Sequence, residues 1–199
     1  MAARIFRGRI SPVELANLLV RQADLALQVG PFGPQAPNAF TVTLGGEPAE
    51  DAAQDEVEKE LATAVTETAV ERGWRLPGPV QVDLVIGSGA PAAASVQATF
   101  VTGPLRPWAR LLPPGRPPVE VRPNRALVGR SSQADVRLED AEVSRRHALL
   151  WREAGGIWVT DLGSSNGTRL NGEAIAEVSE VVDGDLLTFG GPSFVFRSV

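Results

Sequence analysis

"SRRHALLWREAGGIWVTDLGSSNGTRLNG", residues 144–172, holds the only histidine of a 199-residue chain, His147, followed by a turn of Gly163, Ser164, Ser165, Asn166, Gly167 and Thr168. Two kinds of chemistry gather such residues. A hydrolase pairs a serine with a histidine base, here Ser144 and His147 with Asp161 to orient the ring. A binding module instead lines a pocket between loops with short polar side chains. Ser144 sits in no G-x-S-x-G elbow. Around it, short apolar runs at 126–128, 148–151, 157–159, 186–189 and 194–196 alternate with turns rich in Gly, Asn, Asp and Ser. No helical period survives there, and many short strands with regular turns predict an all-β sandwich. Trp151 and Trp158 are expected in its core.

Composition narrows the function classes. There is no cysteine and one histidine, so neither a disulfide framework nor a zinc site is expected. Neither a metal nor any other cofactor is called for. Residues 1–103 carry 7 basic and 12 acidic side chains, and residues 119–199 carry 9 and 12. Neither region has the basic excess of a nucleic-acid binder. No stretch approaches the roughly 18 apolar residues of a membrane span, and the first ten residues lack a signal-peptide core, so a cytoplasmic protein is expected.

The chain breaks at "GPLRPWARLLPPGRPP", residues 103–118, where six of sixteen residues are proline. Proline fixes φ and removes a donor, so this stretch, bounded as 104–118, reads as a semi-rigid spacer unable to hold a central strand. Before it, helix and strand alternate. Ser11-Pro12-Val13-Glu14 is a capping box with proline at the first helical position. Leu15, Leu18, Leu19 and Leu25 follow on one face, until Gly30-Pro31 stops the run. Phe40, Val42 and Leu44 read as a strand, and Val57, Leu61, Val65 and Ala69 as a second helix whose start carries the acids of residues 50–60. Two strands through Val80–Ile86 and Val96–Phe100, joined by a turn in "GSGAPA", complete residues 1–103. The expectation is an α+β domain with two helices on a three-stranded sheet.

With these elements in place, "LVGRSSQADVRLEDAEVSRRHALL" (127–150), "WVTDLGSSNGTRLNG" (158–172) and "VVDGDLLTFGGPSFVF" (181–196) together resemble a forkhead-associated (FHA) domain, spanning about 119–199. The resemblance implies an eleven-stranded, antiparallel-rich β-sandwich that binds phosphothreonine through loops at one end. It implies that Arg130 clamps the phosphate, Ser144 donates to it and Arg145 adds a second cation. Ser165 would make a further phosphate or backbone contact, and Asn166 would bond the peptide backbone. Gly129, His147 and Gly167 would be architectural. A phosphothreonine carries about −1.5 to −2 charges and three acceptor oxygens, and the planar arginine fork suits two of them. Arg146 stays open between a specificity contact and a surface charge. Asn166-Gly167-Thr168 fits a glycosylation sequon but reads more simply as a turn.

Residues 1–103 resemble the domain that precedes FHA in actinobacterial cell-wall regulators, through "GRISPVELANLLVRQAD" (8–24), "PNAFTVTL" (37–44) and "ERGWRLPGPVQVDL" (71–84). The spacer is much shorter than the long linkers of the better-known members. The combined expectation is a phosphothreonine-dependent adaptor in Ser/Thr kinase signalling, in cell-wall or cell-division control, and not an enzyme. Its partner would be a phosphothreonine-containing kinase or kinase substrate, with a second partner or self-association through residues 1–103. A phosphate-independent structural interaction protein and a small Ser144/His147 hydrolase are the rival readings.

Overall fold

The computed structural model describes residues 10–45, 51–87 and 94–199. The first nine residues, Glu50 and all but Gly87 of the "GSGAPA" turn lie outside the described residues. The chain forms two compact units: Met1–Val29, Pro34–Ala69 and Leu76–Pro104 in the first, and Gly30–Gly33, Val70–Arg75 and Leu105–Val199 in the second.

The first unit opens with α1, Pro12–Leu25. Its capping box is closed in both directions: the Glu14 N–H donates to Ser11 Oγ at 3.2 Å, and the Ser11 N–H donates to Glu14 Oε2 at 2.7 Å. The buried face is Leu15, Leu19 and Ala23, while Leu25, expected on it, is 74 % exposed. The helix ends there, short of Gly30, and the chain turns through a two-stranded ribbon of β1, Gln28–Gly30, and β2, Gly33–Gln35.

Next come β3, Ala39–Gly45, α2, Asp51–Glu71, β4, Gln81–Gly87, and β5, Ala94–Thr99. Strand β3 is central, parallel to β4 and antiparallel to β5. The parallel pairing follows from the helical crossover between them. Phe40, Val42, Val82 and Leu84 are buried, as are Val57, Leu61, Val65 and Ala69 of α2. Helix α2 also satisfies the edge strand: Gln54 Nε2 donates to the Leu84 carbonyl at 2.7 Å, and the Leu84 N–H donates to Glu58 Oε1 at 2.9 Å. The wholly buried Asn38 has its amide shared between the carbonyls of Pro79 and Val101 and accepts the Val101 N–H.

The second unit is the β-sandwich. Its strands are β6, Ala109–Leu112, β7, Val119–Val121, β8, Ala126–Gly129, β9, Val136–Arg137, β10, Ala148–Glu153, β11, Gly156–Asp161, β12, Thr168–Leu170, β13, Glu173–Ala174, β14, Ser179–Glu180, β15, Leu186–Phe189, and β16, Ser193–Ser198. They form a five-stranded sheet ordered β14-β11-β10-β8-β9 and a six-stranded sheet ordered β13-β12-β15-β16-β6-β7. Among the described residues this is the expected eleven-stranded sandwich. Leu111, Val128, Leu150, Val159, Leu187, Phe189 and Phe196 lie at its centre.

Two expectations are corrected here. The stretch 104–118 holds a strand after all: β6 lies between β16 and β7, with Leu111 fully buried. The prolines flank the four residues Ala109–Leu112 rather than interrupt them, so every ladder donor is kept. Trp151 and Trp158 are not in the sandwich core, whose tryptophan is Trp108. Ala148 and Leu150 face that core, so strand alternation turns Trp151 to the opposite side. Trp158 is its cross-strand partner there. Residues 70–75 join the same unit through Arg75, which grips Asp135 with two nitrogens at 2.7 and 3.0 Å. The Asn124 amide reaches the carbonyls of Trp74 and Arg152 as well.

Candidate functional site

At one end of the sandwich three loops converge: the one leaving β8, the one entering β10 and the one between β11 and β12. The first two are zipped by backbone, with the Arg130 N–H donating to the Ser144 carbonyl at 3.1 Å and the Ser131 N–H to the Arg145 carbonyl at 3.3 Å. Gly129 makes this approach possible, since a Cβ there would lie 2.3 Å from the Arg145 carbonyl oxygen.

His147 ties the second loop to the third. It is wholly buried. Its Nδ1 accepts the Ser144 N–H at 3.0 Å, so the neutral ring carries its proton on Nε2, which lies 3.1 Å from the Gly167 carbonyl oxygen. Phe189 meets the ring edge-on, with centroids 5.8 Å apart. Both ring nitrogens are thus engaged with backbone, and neither is placed to take a proton from Ser144 Oγ. The Ser144–His147 pair does not have the geometry of a nucleophile and its base.

The third loop is shaped by Asp161. Its carboxylate accepts the Ser164 N–H at 2.7 Å, the Ser164 hydroxyl at 2.7 Å and the Thr168 hydroxyl at 2.6 Å. Ser164 Oγ in turn accepts the Gly167 N–H at 2.9 Å. Burial pushes the Asp161 carboxyl up, but the hydrogen bonds from Thr168 and Ser164, with the neighbouring His147 ring, outweigh it and hold the group below its usual 3.8. A carboxyl depressed in the folded state contributes stability that is present above the unfolded value and lost as pH falls through the folded one. Thermal midpoints of the wild type should therefore drop on acidification below about pH 4. Asp161→Asn, lacking the charged acceptor, should start about 1–3 kcal/mol less stable at pH 7 and fall less steeply in that window. Parallel acid profiles for the two proteins would refute this account of the loop.

These loops enclose a cleft of about 620 Å³ whose lining includes Arg130, Ser144, Arg145, Ser165 and Asn166, all five of the side chains expected to bind ligand. Arg130, Arg145, Ser165 and Asn166 are exposed, and Ser144 is half-buried. The Ser165 N–H donates to Ser144 Oγ at 3.0 Å. That bond occupies one lone pair of the hydroxyl and leaves its proton free to be donated. Asn166 Nδ2 donates to the Glu142 carbonyl at 2.9 Å, which anchors the amide at the rim. Gly129, His147 and Gly167 stand behind the cleft wall, Gly167 with φ of 78°.

Arg146, left open by the sequence, lines the cleft, and so do Ser131, Gln133 and Glu142, which sequence reasoning missed. None of these three carried a usable signal in the sequence: the contribution of Glu142 to the rim, for one, is a backbone carbonyl that any residue would supply. Among the described residues no group of three or more His, Cys, Asp or Glu side chains is placed to hold a metal ion. No helix among them is long and apolar enough to cross a membrane.

A β-sandwich whose end loops present an arginine-lined cleft, braced from behind by a buried histidine, is the arrangement of an FHA domain, and residues 126–190 match that family. Residues 1–90 match the FhaA N-terminal domain. The chain is an FHA-domain protein with an FhaA-like N-terminal region. It is 40 % identical over 68 residues to the glycogen accumulation regulator GarA of Mycolicibacterium smegmatis, which covers 34 % of this chain and 42 % of that one. It is 32 % identical over 78 residues to the FHA domain-containing protein FhaA of Mycobacterium tuberculosis, covering 39 % and 15 %. A solved structure of the FhaA FHA domain complexed with the intracellular domain of Rv3910 is 27 % identical, with a TM-score of 0.41 over 45 % of this chain and 99 % of that one. The chain spans less than half the length of the curated relatives it matches.

Proposed function

We propose that this chain is an adaptor that binds phosphothreonine-containing proteins through the cleft between the β8, β10 and β11–β12 loops. The observation that carries the reading is the convergence of Arg130, Ser144, Arg145, Ser165 and Asn166 on one cleft. In this reading Arg130 and Arg145 take the phosphate as charged donors, Ser144 adds the hydroxyl left free by its bond from Ser165, and Asn166 bonds the peptide backbone. The finer role is adaptor work in Ser/Thr kinase signalling, in control of the cell wall or of division, by a cytoplasmic protein. The partner is a phosphorylated kinase or kinase substrate, and residues 1–103 engage a second protein or a second copy. The second unit, which takes in β6 and runs through Leu105–Val199, acts as the reader, and the first unit as the second binding domain. The similarity to GarA and FhaA supports the reading.

Titration against phosphothreonine, phosphoserine and unphosphorylated versions of one peptide library tests it. Binding should require the phosphate and favour phosphothreonine. Arg130→Ala should weaken it by about 30-fold or more, the value of losing roughly 2 kcal/mol of charge-assisted bonds. The thermal midpoint should stay within about 2 °C, because substitutions at exposed positions away from structural features cost little. Binding that ignores the phosphate would instead favour the phosphate-independent interaction protein.

A further inference from the structure

The cleft wall is backed by a residue from far earlier in the chain. Phe32, half-buried in the Gly30–Gly33 segment of the second unit, has the Arg146 guanidinium 5.5 Å from its ring centroid. Arg75 lies 5.6 Å from the same ring. The two arginines differ in what else holds them. Arg75 spends its donors on Asp135 and on the Arg125 carbonyl. Arg146 lines the cleft and is exposed. An aromatic face attracts a guanidinium through its quadrupole and takes up no N–H donor in doing so. The ring therefore restrains Arg146 while leaving its donors unspent.

Phe32 is itself fixed. Its carbonyl accepts Arg125 Nε at 2.7 Å. The next residue, Gly33, has φ of 113°, and a Cβ there would lie 2.1 Å from that same Nε. Asp135, which anchors Arg75, also accepts the Leu127 N–H at 2.8 Å, on the strand that leads into Gly129 and Arg130. The segment is thus built against the cleft wall by side chains of the sandwich.

We propose that Phe32 is a positioning residue for phosphopeptide recognition. It holds Arg146 at the cleft so that the guanidinium donors meet an acidic side chain flanking the phosphothreonine. The inference rests on the phosphothreonine reading above. Restraining a long side chain removes entropy that binding would otherwise cost, so the ring raises selectivity for acidic ligands.

The test uses the full chain as wild type, Phe32→Ala, Phe32→Trp, Arg146→Ala and the Phe32→Ala/Arg146→Ala double variant. Each is titrated with phosphothreonine peptides carrying glutamate or alanine at the flanking positions, with thermal midpoints measured alongside. Wild type should prefer the glutamate set. Phe32→Ala should reduce that preference about three- to tenfold, Phe32→Trp should keep it, and Phe32→Ala should add nothing in the Arg146→Ala background. An unchanged preference in Phe32→Ala, or effects of the two substitutions that simply add, would overturn the proposal. So would a wild type with phosphate-dependent binding but no preference for the glutamate set. If Phe32→Ala is misfolded by its midpoint, Phe32→Leu, which fills the space without a ring, decides in the same way. Wild-type binding with no phosphate dependence is a separate result, which removes the proposed function and this inference with it.

Discussion

His147→Leu is expected to lower the unfolding free energy by about 3 kcal/mol, because two part-buried backbone groups each lose a partner, at about 1–3 kcal/mol, inside the wholly buried site of the ring. The Ser144 N–H loses its acceptor outright, and the Gly167 carbonyl keeps only the Gly190 N–H at 3.0 Å. Leucine fills the volume and restores some apolar contact, but not the edge-on packing on Phe189, worth about 0.5–1.5 kcal/mol. For a sandwich of this size the thermal midpoint should fall by more than about 10 °C. Denaturant unfolding of wild type and variant measures the difference directly. The same experiment separates the bracing role from a catalytic one. A base in a hydrolase could be lost with the fold intact, whereas here Ser144→Ala should keep most of the stability that His147→Leu removes. If His147→Leu unfolds within 1 kcal/mol of the wild type by the same criterion, the histidine is not the brace described here.

What the sequence disclosed of this site, and what it did not, follows from which groups do the work. The cleft side chains were reached through the resemblance to an FHA domain, whose motifs they carry; taken singly, an arginine after a glycine or a serine before a histidine names no partner. Gly163 and Gly167, with φ of 74° and 78°, mark the β11–β12 turn by a backbone requirement that the residue type itself announces. Contacts made by backbone were not legible. The Glu142 carbonyl that anchors Asn166 could come from any residue. Phe32 reaches Arg146 through tertiary structure alone, from a segment with no pattern to suggest it.

The fold shows the same division. Alternation placed Phe40, Val42 and Leu44 correctly on the buried side of β3. The run 148–151 is buried on both faces, so it has no alternation to read, and the facing of Trp151 could not be inferred. Strand β6 was hidden because composition counts prolines over a window, whereas a ladder needs only four free of them. The β1–β2 ribbon has three residues a side and no buried ones, which leaves no hydrophobic signal.

Gly129→Ala should be the more damaging of two glycine substitutions although its backbone is the more ordinary. Gly129 is not in the left-handed region, whereas Gly163 is, with φ of 74°. A Cβ at Gly163 would meet nothing within 4 Å, but one at Gly129 would lie 2.3 Å from the Arg145 carbonyl oxygen and 3.1 Å from that of Ser144. Those atoms belong to backbone, not to flexible side-chain ends, so relief requires the β8 and β10 loops to separate. Separation strains the bonds from the Arg130 and Ser131 N–H groups to those same two carbonyls. Overpacking of about 1–3 kcal/mol plus two weakened hydrogen bonds of about 0.5–1.5 kcal/mol each gives a loss of roughly 2–6 kcal/mol. Gly163→Ala carries only the cost of a left-handed L-residue, about 1–2 kcal/mol. Ligand binding should diverge further than stability, because the separating loops carry Arg130, Ser144 and Arg145. Phosphothreonine-peptide affinity is expected to fall more than about tenfold, that is by over 1.4 kcal/mol, in Gly129→Ala and within about threefold in Gly163→Ala. Denaturant unfolding and peptide titration on the same two variants check both orders. A Gly163→Ala protein that loses more stability and more affinity than Gly129→Ala would mean that turn conformation, and not the close approach of two backbones, sets the shape of the cleft.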